Sequence, residues 1–229
     1  MTVGPTFYAT DEDIAIRASA DFTLLVPKDQ KLTWGNDGQF APGVRWVLSS
    51  PSVDFNAQGL VPGQILQLTQ PSSVFKPPGE LFAVSEVNGG LITLRRKGQA
   101  AGVGQPPAPP GGLAQVEFSA ATFGPQIARA SYDLNRRYGI DDLIAGHRAT
   151  DLFDPQEVCE ATVLTVLYRQ YLDLCRGPEG RGDSFAAKAQ LYKQELDDLL
   201  ARTVIHWLPV TADGCHEGVS SRFGTRMSR

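Results

Sequence analysis

The chain lacks any apolar run approaching the roughly 18 residues that a membrane-crossing helix requires, so no membrane span is expected. Its first residues, MTVGPTFYATDEDIAIRA, hold no basic segment followed by an apolar block, which argues against a secretion signal. Cysteine is scarce. The three present are odd in number and widely spaced, so no disulfide framework is expected and the chain suits a reducing compartment. Histidine is equally scarce, and no CxxC, HxxH or HExxH pattern occurs. His147, Cys159, Cys175, His206, Cys215 and His216 therefore make no recognisable metal site, and the adjacent Cys215 and His216 cannot close a tetrahedral site alone. No GxSxG elbow is present, and none of the histidines sits in a catalytic setting. Gly102-Val103-Gly104 opens a proline run rather than a helix, so it offers no phosphate-binding helix terminus. No catalytic residue, cofactor or metal ligand is expected.

A strong charge of either sign is also missing. Lys and Arg number 21 against 25 Asp and Glu, a formal net charge of -4 spread over both halves, which excludes a global basic field for holding nucleic acid. Hydrophobic residues make up 42% of the 229, enough for one large domain or two small ones. Mean hydropathy of -0.17 is that of an ordinary soluble protein.

What is present reads as an α+β chain in four parts. Residues 1–40 hold an N-terminal helix and an extended segment. Thr10 caps the helix, with Asp11, Glu12 and Asp13 at its positive dipole end. Phe22–Val26 reads as a strand or an extended packing segment, and Trp34–Phe40 (WGNDGQF) has the composition of a turn. Residues 41–120 are β-rich, a small antiparallel barrel or sandwich, with strands at Val44–Ser49, Gln64–Thr69, Leu81–Val87, Leu91–Arg96 and Gln115–Phe118. Asn88-Gly89-Gly90 marks a hairpin, because those residues take up a twisted turn at little cost. The Pro/Gly stretch 101–112 reads as a loop or linker, polyproline-like in part.

Residues 121–207 read as a helical bundle. Pro125 opens one helix and Gly139 closes it, and Asp154-Pro155 opens a second that runs to about Cys175. Asp183 or Ser184 caps a third, joined to the second as an αα-hairpin. Its apolar stripe is Phe185, Ala189, Tyr192, Leu196, Leu199 and Leu200, with Thr203 and Trp207 continuing the row. Arg181-Gly182-Asp183 spells a cell-adhesion tripeptide, but turn and cap chemistry explain it. Residues 208–229 form an extended C-terminal arm.

Two basic groups stand out. Arg95, Arg96 and Lys97 end a strand at the open end of the hairpin. Arg222, Arg226 and Arg229 share an acid-free terminus with Phe223, which reads either as a disordered tail or as an arm that orders on an acidic partner.

The helical pair, with YRQYLDLC in its first member and FAAKAQLYKQELDDLLAR in its second, followed by the arginine-bearing tail, resembles the head–tail connector (adaptor) proteins of tailed phages. The resemblance covers roughly residues 125–229, and the β-rich part departs from a minimal all-helical adaptor. It implies a structural virion protein, made in the host cytoplasm. Its copies would form a homo-oligomeric ring, a dodecamer, between the portal protein ring and a downstream neck or tail protein. DNA would pass through the ring without sequence-specific binding. Tyr168, Tyr171, Tyr192, Leu196 and Trp207 would pack subunits together, and Arg222, Phe223, Arg226 and Arg229 would dock the arm on the portal. Stopper and tail-terminator roles stay open under the same resemblance. A DNA-binding or packaging accessory protein using Arg95–Lys97 and the tail is the alternative, and an enzyme with an unrecognised site in the β-rich part is a third.

Overall fold

The computed structural model describes residues 7–44, 46–99, 112–141, 143–144, 146–175, 182–208 and 221–222. The chain divides into two compact units. Thr10–Gly124 form one, and Met1–Ala9 with Pro125–Arg229 form the other, so along the chain the β-rich unit is an insertion in the helical one. This moves the sequence boundaries: residues 10–40 belong with the β-rich unit rather than to a separate N-terminal part.

The inserted unit is a closed antiparallel barrel. Its strands are β1 (Lys31–Phe40), β2 (Val47–Ser49), β3 (Ile65–Gln70), β4 (Glu80–Asn88), β5 (Leu91–Arg96) and β6 (Leu113–Ala121), ordered β1-β2-β5-β4-β3-β6 and closed by β6 on β1. The β4–β5 turn is the expected hairpin, with Asn88 opposite Leu91 and Gly89 at φ 58.

The segment read as a turn, WGNDGQF, is the greater part of β1, from Trp34 to its end at Phe40. Its glycines face inward for a packing reason. A Cβ on Gly35 would lie 2.3 Å from the Phe118 ring, and one on Gly38 would lie 2.9 Å from the Val116 carbonyl oxygen. A bulge between them restores the inward alternation. Phe40, Leu48, Leu66, Phe82, Val84 and Phe118 fill the interior, and Phe55, Leu60 and Phe75 come from the connections between strands. Phe55 meets Phe118 edge-on at 5.5 Å.

Helix α1 (Asp11–Arg17) is capped as its sequence suggests. Thr10 Oγ1 accepts from the Asp13 amide, and Asp13 Oδ2 accepts from the Thr10 amide at 2.8 Å. Phe22–Leu25, expected as a strand or an extended packing segment, is instead the one-turn helix α2, followed by a 3₁₀ turn at Lys28–Gln30. Phe22 and Leu25 both point inward, and a spacing of three does that on a helix but not on a strand. Phe22 then packs edge-on against Phe123 at 5.3 Å.

The helical unit holds α3 (Gly124–Tyr138), α4 (Gln156–Cys175) and α5 (Gly182–Arg202). Gly139, at φ 67, closes α3 as expected. The Tyr8 amide donates to Ser131 Oγ and its hydroxyl donates to Asn135 Oδ1 at 2.6 Å, so the segment before the insertion is tied to α3. Asp154 Oδ1 accepts from the Gln156 amide at 2.9 Å and starts α4. Val158, Ala161 and Leu164 of α4 share a core with Leu196 and Leu199 of α5.

Trp207 does not continue that helix. Helix α5 stops at Arg202, and Trp207 lies in an extended strand, β7 (His206–Trp207), paired with β8 (Ser221–Arg222). On its other side β7 meets Leu152, with the Phe153 amide donating to the His206 carbonyl at 2.9 Å. The periodicity runs past the helix end because Trp207 is buried for a different reason, as part of this extended pairing.

Candidate interaction surfaces

Of the side chains assigned to subunit packing, three are consumed inside the helical unit. Tyr171 is 1% exposed and stacks on Tyr192 at 5.4 Å with the rings 14° apart. The Phe185 ring lies 6.2 Å from Tyr171, and the Lys188 ammonium sits 5.5 Å from its centroid. Leu196 and Trp207 are buried in the core shared by α3, α4 and α5, and Trp207 lies 4.9 Å from the His147 ring. Tyr168 and Tyr192 are half-buried and keep some surface. The backbone of Arg222 pairs with His206. Phe223, Arg226 and Arg229 lie outside the described residues, as do Cys215 and His216. Cys159 and Cys175 are half-buried on α4. Among the described residues no group of His, Cys, Asp and Glu could hold a metal ion, and no helix is long and apolar enough to cross a membrane.

Tyr132 of α3 and Leu191 of α5 are exposed singly, and the connection between α3 and α4 groups three large apolar side chains that the unit's own packing leaves open. Leu143 is 81% exposed, Phe153 65% and Ile144 52%. Hydrogen bonds hold the connection in shape: Asp151 Oδ2 accepts from the Gly146 and Arg148 amides, and the Leu208 amide donates to the Asp151 carbonyl at 2.7 Å. A loop so tied, yet with three large apolar side chains outward, presents rather than hides them.

On the barrel unit the acidic run Asp11-Glu12-Asp13 does more than cap a helix. Glu12 binds the Arg95 guanidinium through both carboxylate oxygens and also accepts from the Gly98 amide at 2.9 Å. Asp11 Oδ1 accepts from the Phe123 amide at 2.7 Å, while its other oxygen finds no partner. Burial pushes the Asp11 carboxyl up to about 6, against the opposing pull of the Phe123 amide and Thr122. The basic trio is thus divided. Arg95 is spent on Glu12, Arg96 is exposed, and Lys97 is half-buried with its ammonium on the Ser19 hydroxyl. Burial lowers the pKa of Lys97.

Sequence reading missed a groove on the outer face of the barrel. Its floor is a row straight across the sheet, with Trp34 opposite Ser119, Ser119 opposite Gln67, and Gln67 opposite Leu81. Thr23 of α2 and Lys28 form its wall, and the part beside Trp34 encloses about 290 Å³. Trp34 is 51% exposed, with the Lys31 ammonium 5.4 Å from its ring centroid and its indole N–H donating to Glu117. The local sequence signal for the groove was a Trp at the start of a Gly-containing segment, which turn chemistry explained away. No protein-family model, no curated protein and no solved structure matches this chain.

Proposed function

We propose that the chain is a structural virion protein, a head–tail connector whose copies form a ring between a portal protein ring and the tail. The observation that carries this reading is the α3–α4 connection, where Leu143, Ile144 and Phe153 are held outward by a hydrogen-bonded loop while both cores are already filled. Such a surface suits a neighbouring copy or a partner ring better than solvent. The resemblance of residues 125–229 to adaptor proteins supplies the identity of the partner. Under this reading subunits meet through the α3–α4 connection and the half-buried Tyr168 and Tyr192, and the residues beyond Leu208 dock on the portal. DNA passes through without being read, which an acidic chain of charge -4 favours.

The DNA-binding alternative is weakened by Arg95, whose charge is neutralised by Glu12. Stopper and tail-terminator roles share the same surfaces and remain within the proposal. The test is the native mass of the purified protein mixed with its candidate portal ring, with and without residues 223–229, a truncation that keeps the Leu208 amide on Asp151 and the pairing of β7 with β8. A defined multimer that needs the tail supports the reading, and absence of any complex at micromolar concentration removes it.

A further inference from the structure

The groove across β1, β6, β3 and β4 carries the one concentration of unneutralised positive charge that the barrel's described residues show around an exposed aromatic ring. Lys28 and Lys31 lie at the Trp34 end, and Arg96 and Lys97 lie at the other, where Gln67 and Leu81 also belong to the lining. Among the described residues none of these four cations is ion-paired with a carboxylate. Glu80 is the single acid in the lining. Lys97 is half-buried with a hydroxyl as its partner, an arrangement in which a charged amine gains from an arriving anion. A chain of net charge -4 that keeps four such cations around one groove is matched to a negatively charged occupant.

We propose that this groove binds an extended, acidic peptide segment of a partner protein. The dimensions fit. Trp34 to Leu81 spans three strand spacings of about 4.8 Å, and the extension to Lys97 adds about one more, giving a row of roughly 19 Å. At about 3.4 Å per residue, that accommodates five or six residues of extended chain. Gln67 Nε2 donates to the Pro78 carbonyl at 2.9 Å, which turns the side-chain amide oxygen and the Ser119 position to a peptide backbone, and half-buried Leu81 makes an apolar floor for a side chain. Trp34 takes an apolar or aromatic side chain on the ring face that Lys31 leaves open, and the lysines at both ends take carboxylates. Single-stranded nucleic acid fits less well. It would find a single stacking platform, with one face already covered by Lys31, where sequence-tolerant binding of a strand stacks successive bases on several rings. The proposal does not rest on the connector reading, since the barrel unit could bind an acidic segment in any assembly.

The experiment probes the full-length protein on an array of hexapeptides ranging from acidic through neutral to basic, each with and without one Phe. The strongest spots are then measured by fluorescence anisotropy beside a labelled ten-nucleotide oligo-dT. Binding is expected to concentrate on acidic, Phe-containing spots and to weaken as salt rises. Trp34→Ala is expected to lower affinity at least tenfold, as loss of an interface anchor does, while the double variant Lys28→Gln/Lys97→Gln flattens the salt dependence. Leu91→Ala, an exposed change outside the groove, is the control and is expected to change nothing. Indifference of the array to peptide charge overturns the proposal, as does retention of binding by Trp34→Ala. Tighter binding of oligo-dT, lost in Trp34→Ala, also overturns it and reassigns the groove to nucleic acid. No portal enters the assay, so its failure is separable from failure of the connector reading.

Discussion

Glu12 and Arg95, 83 residues apart, form a two-pronged ion pair that joins the first turn of α1 to the end of β5. The Glu12 side chain is 9% exposed and that of Arg95 22%, so each charge depends on the other for its solvation. Removing one partner strands the other, and such losses are worth about 3–5 kcal/mol. Glu12→Gln and Arg95→Met are each expected to lower unfolding stability by about 3 kcal/mol, discounted toward 2 for the exposure of Arg95. In the double variant the losses should be clearly less than additive. Urea unfolding of the four proteins checks this, and strict additivity would show that the pair contributes no coupling.

Asp11 gives the pH dependence a definite sign. Its folded-state value of about 6 lies above the ordinary 3.8, so the folded chain holds a proton that the unfolded chain has released between those two values. The stability tied to Asp11 is therefore complete below about pH 4 and is lost as pH rises through about 6. At 1.36 kcal/mol per unit the span is about 3 kcal/mol. Asp11→Asn keeps an acceptor for the Phe123 amide and removes the charge. Its stability relative to the wild type is expected to rise by about 3 kcal/mol between pH 3.5 and pH 7. Parallel stability curves for the two proteins would count against the assignment.

Elements whose signals are local were legible in the sequence. The Thr10 cap, the Asn88-Gly89-Gly90 hairpin, the Asp154 start of α4 and the Gly139 stop of α3 each depend on residues within one turn of chain. Elements defined by distant partners were not. Gly35 and Gly38 look like turn residues until Phe118, some eighty positions away, is seen to fill the space their side chains would take. Phe22–Leu25 is too short for periodicity to separate helix from strand. The insertion was hidden because its markers are Tyr8 with Asn135 and Asp11 with Phe123, pairs more than a hundred residues apart. The candidate surfaces divide the same way. The stripe of α5 was readable but turned out to face inward at Leu196 and Leu199, while Trp34 and the α3–α4 connection needed the fold.

The Gly35–Phe118 fit predicts a size-specific defect. Gly35→Ala places a methyl group within the Phe118 ring volume and is expected to destabilise the barrel by about 1–3 kcal/mol through overpacking. Phe118→Leu alone is also expected to destabilise, by opening a cavity. Combined, the two should recover part of the loss, since the smaller side chain vacates the space the methyl needs. Thermal unfolding of the three variants tests the fit, and a double variant no better than the sum of the singles would rule it out.

Tyr171 and Phe153 separate interior from interface. Tyr171, at 1% exposure and stacked on Tyr192, is expected to act within the protomer. Tyr171→Ala should cost the isolated chain about 3–5 kcal/mol, and Tyr171→Phe should cost far less because the stack survives. Phe153, at 65% exposure, is expected to do the opposite. Phe153→Ser should leave thermal stability within about 0.5 kcal/mol of the wild type, as exposed substitutions do, yet weaken assembly with the portal ring or with other copies by about tenfold or more. Native mass measurement at a series of concentrations reads the second effect and calorimetry the first. Assembly unchanged in Phe153→Ser, and likewise in Leu143→Ser, would remove the α3–α4 connection from the interface and with it the main structural support for a ring.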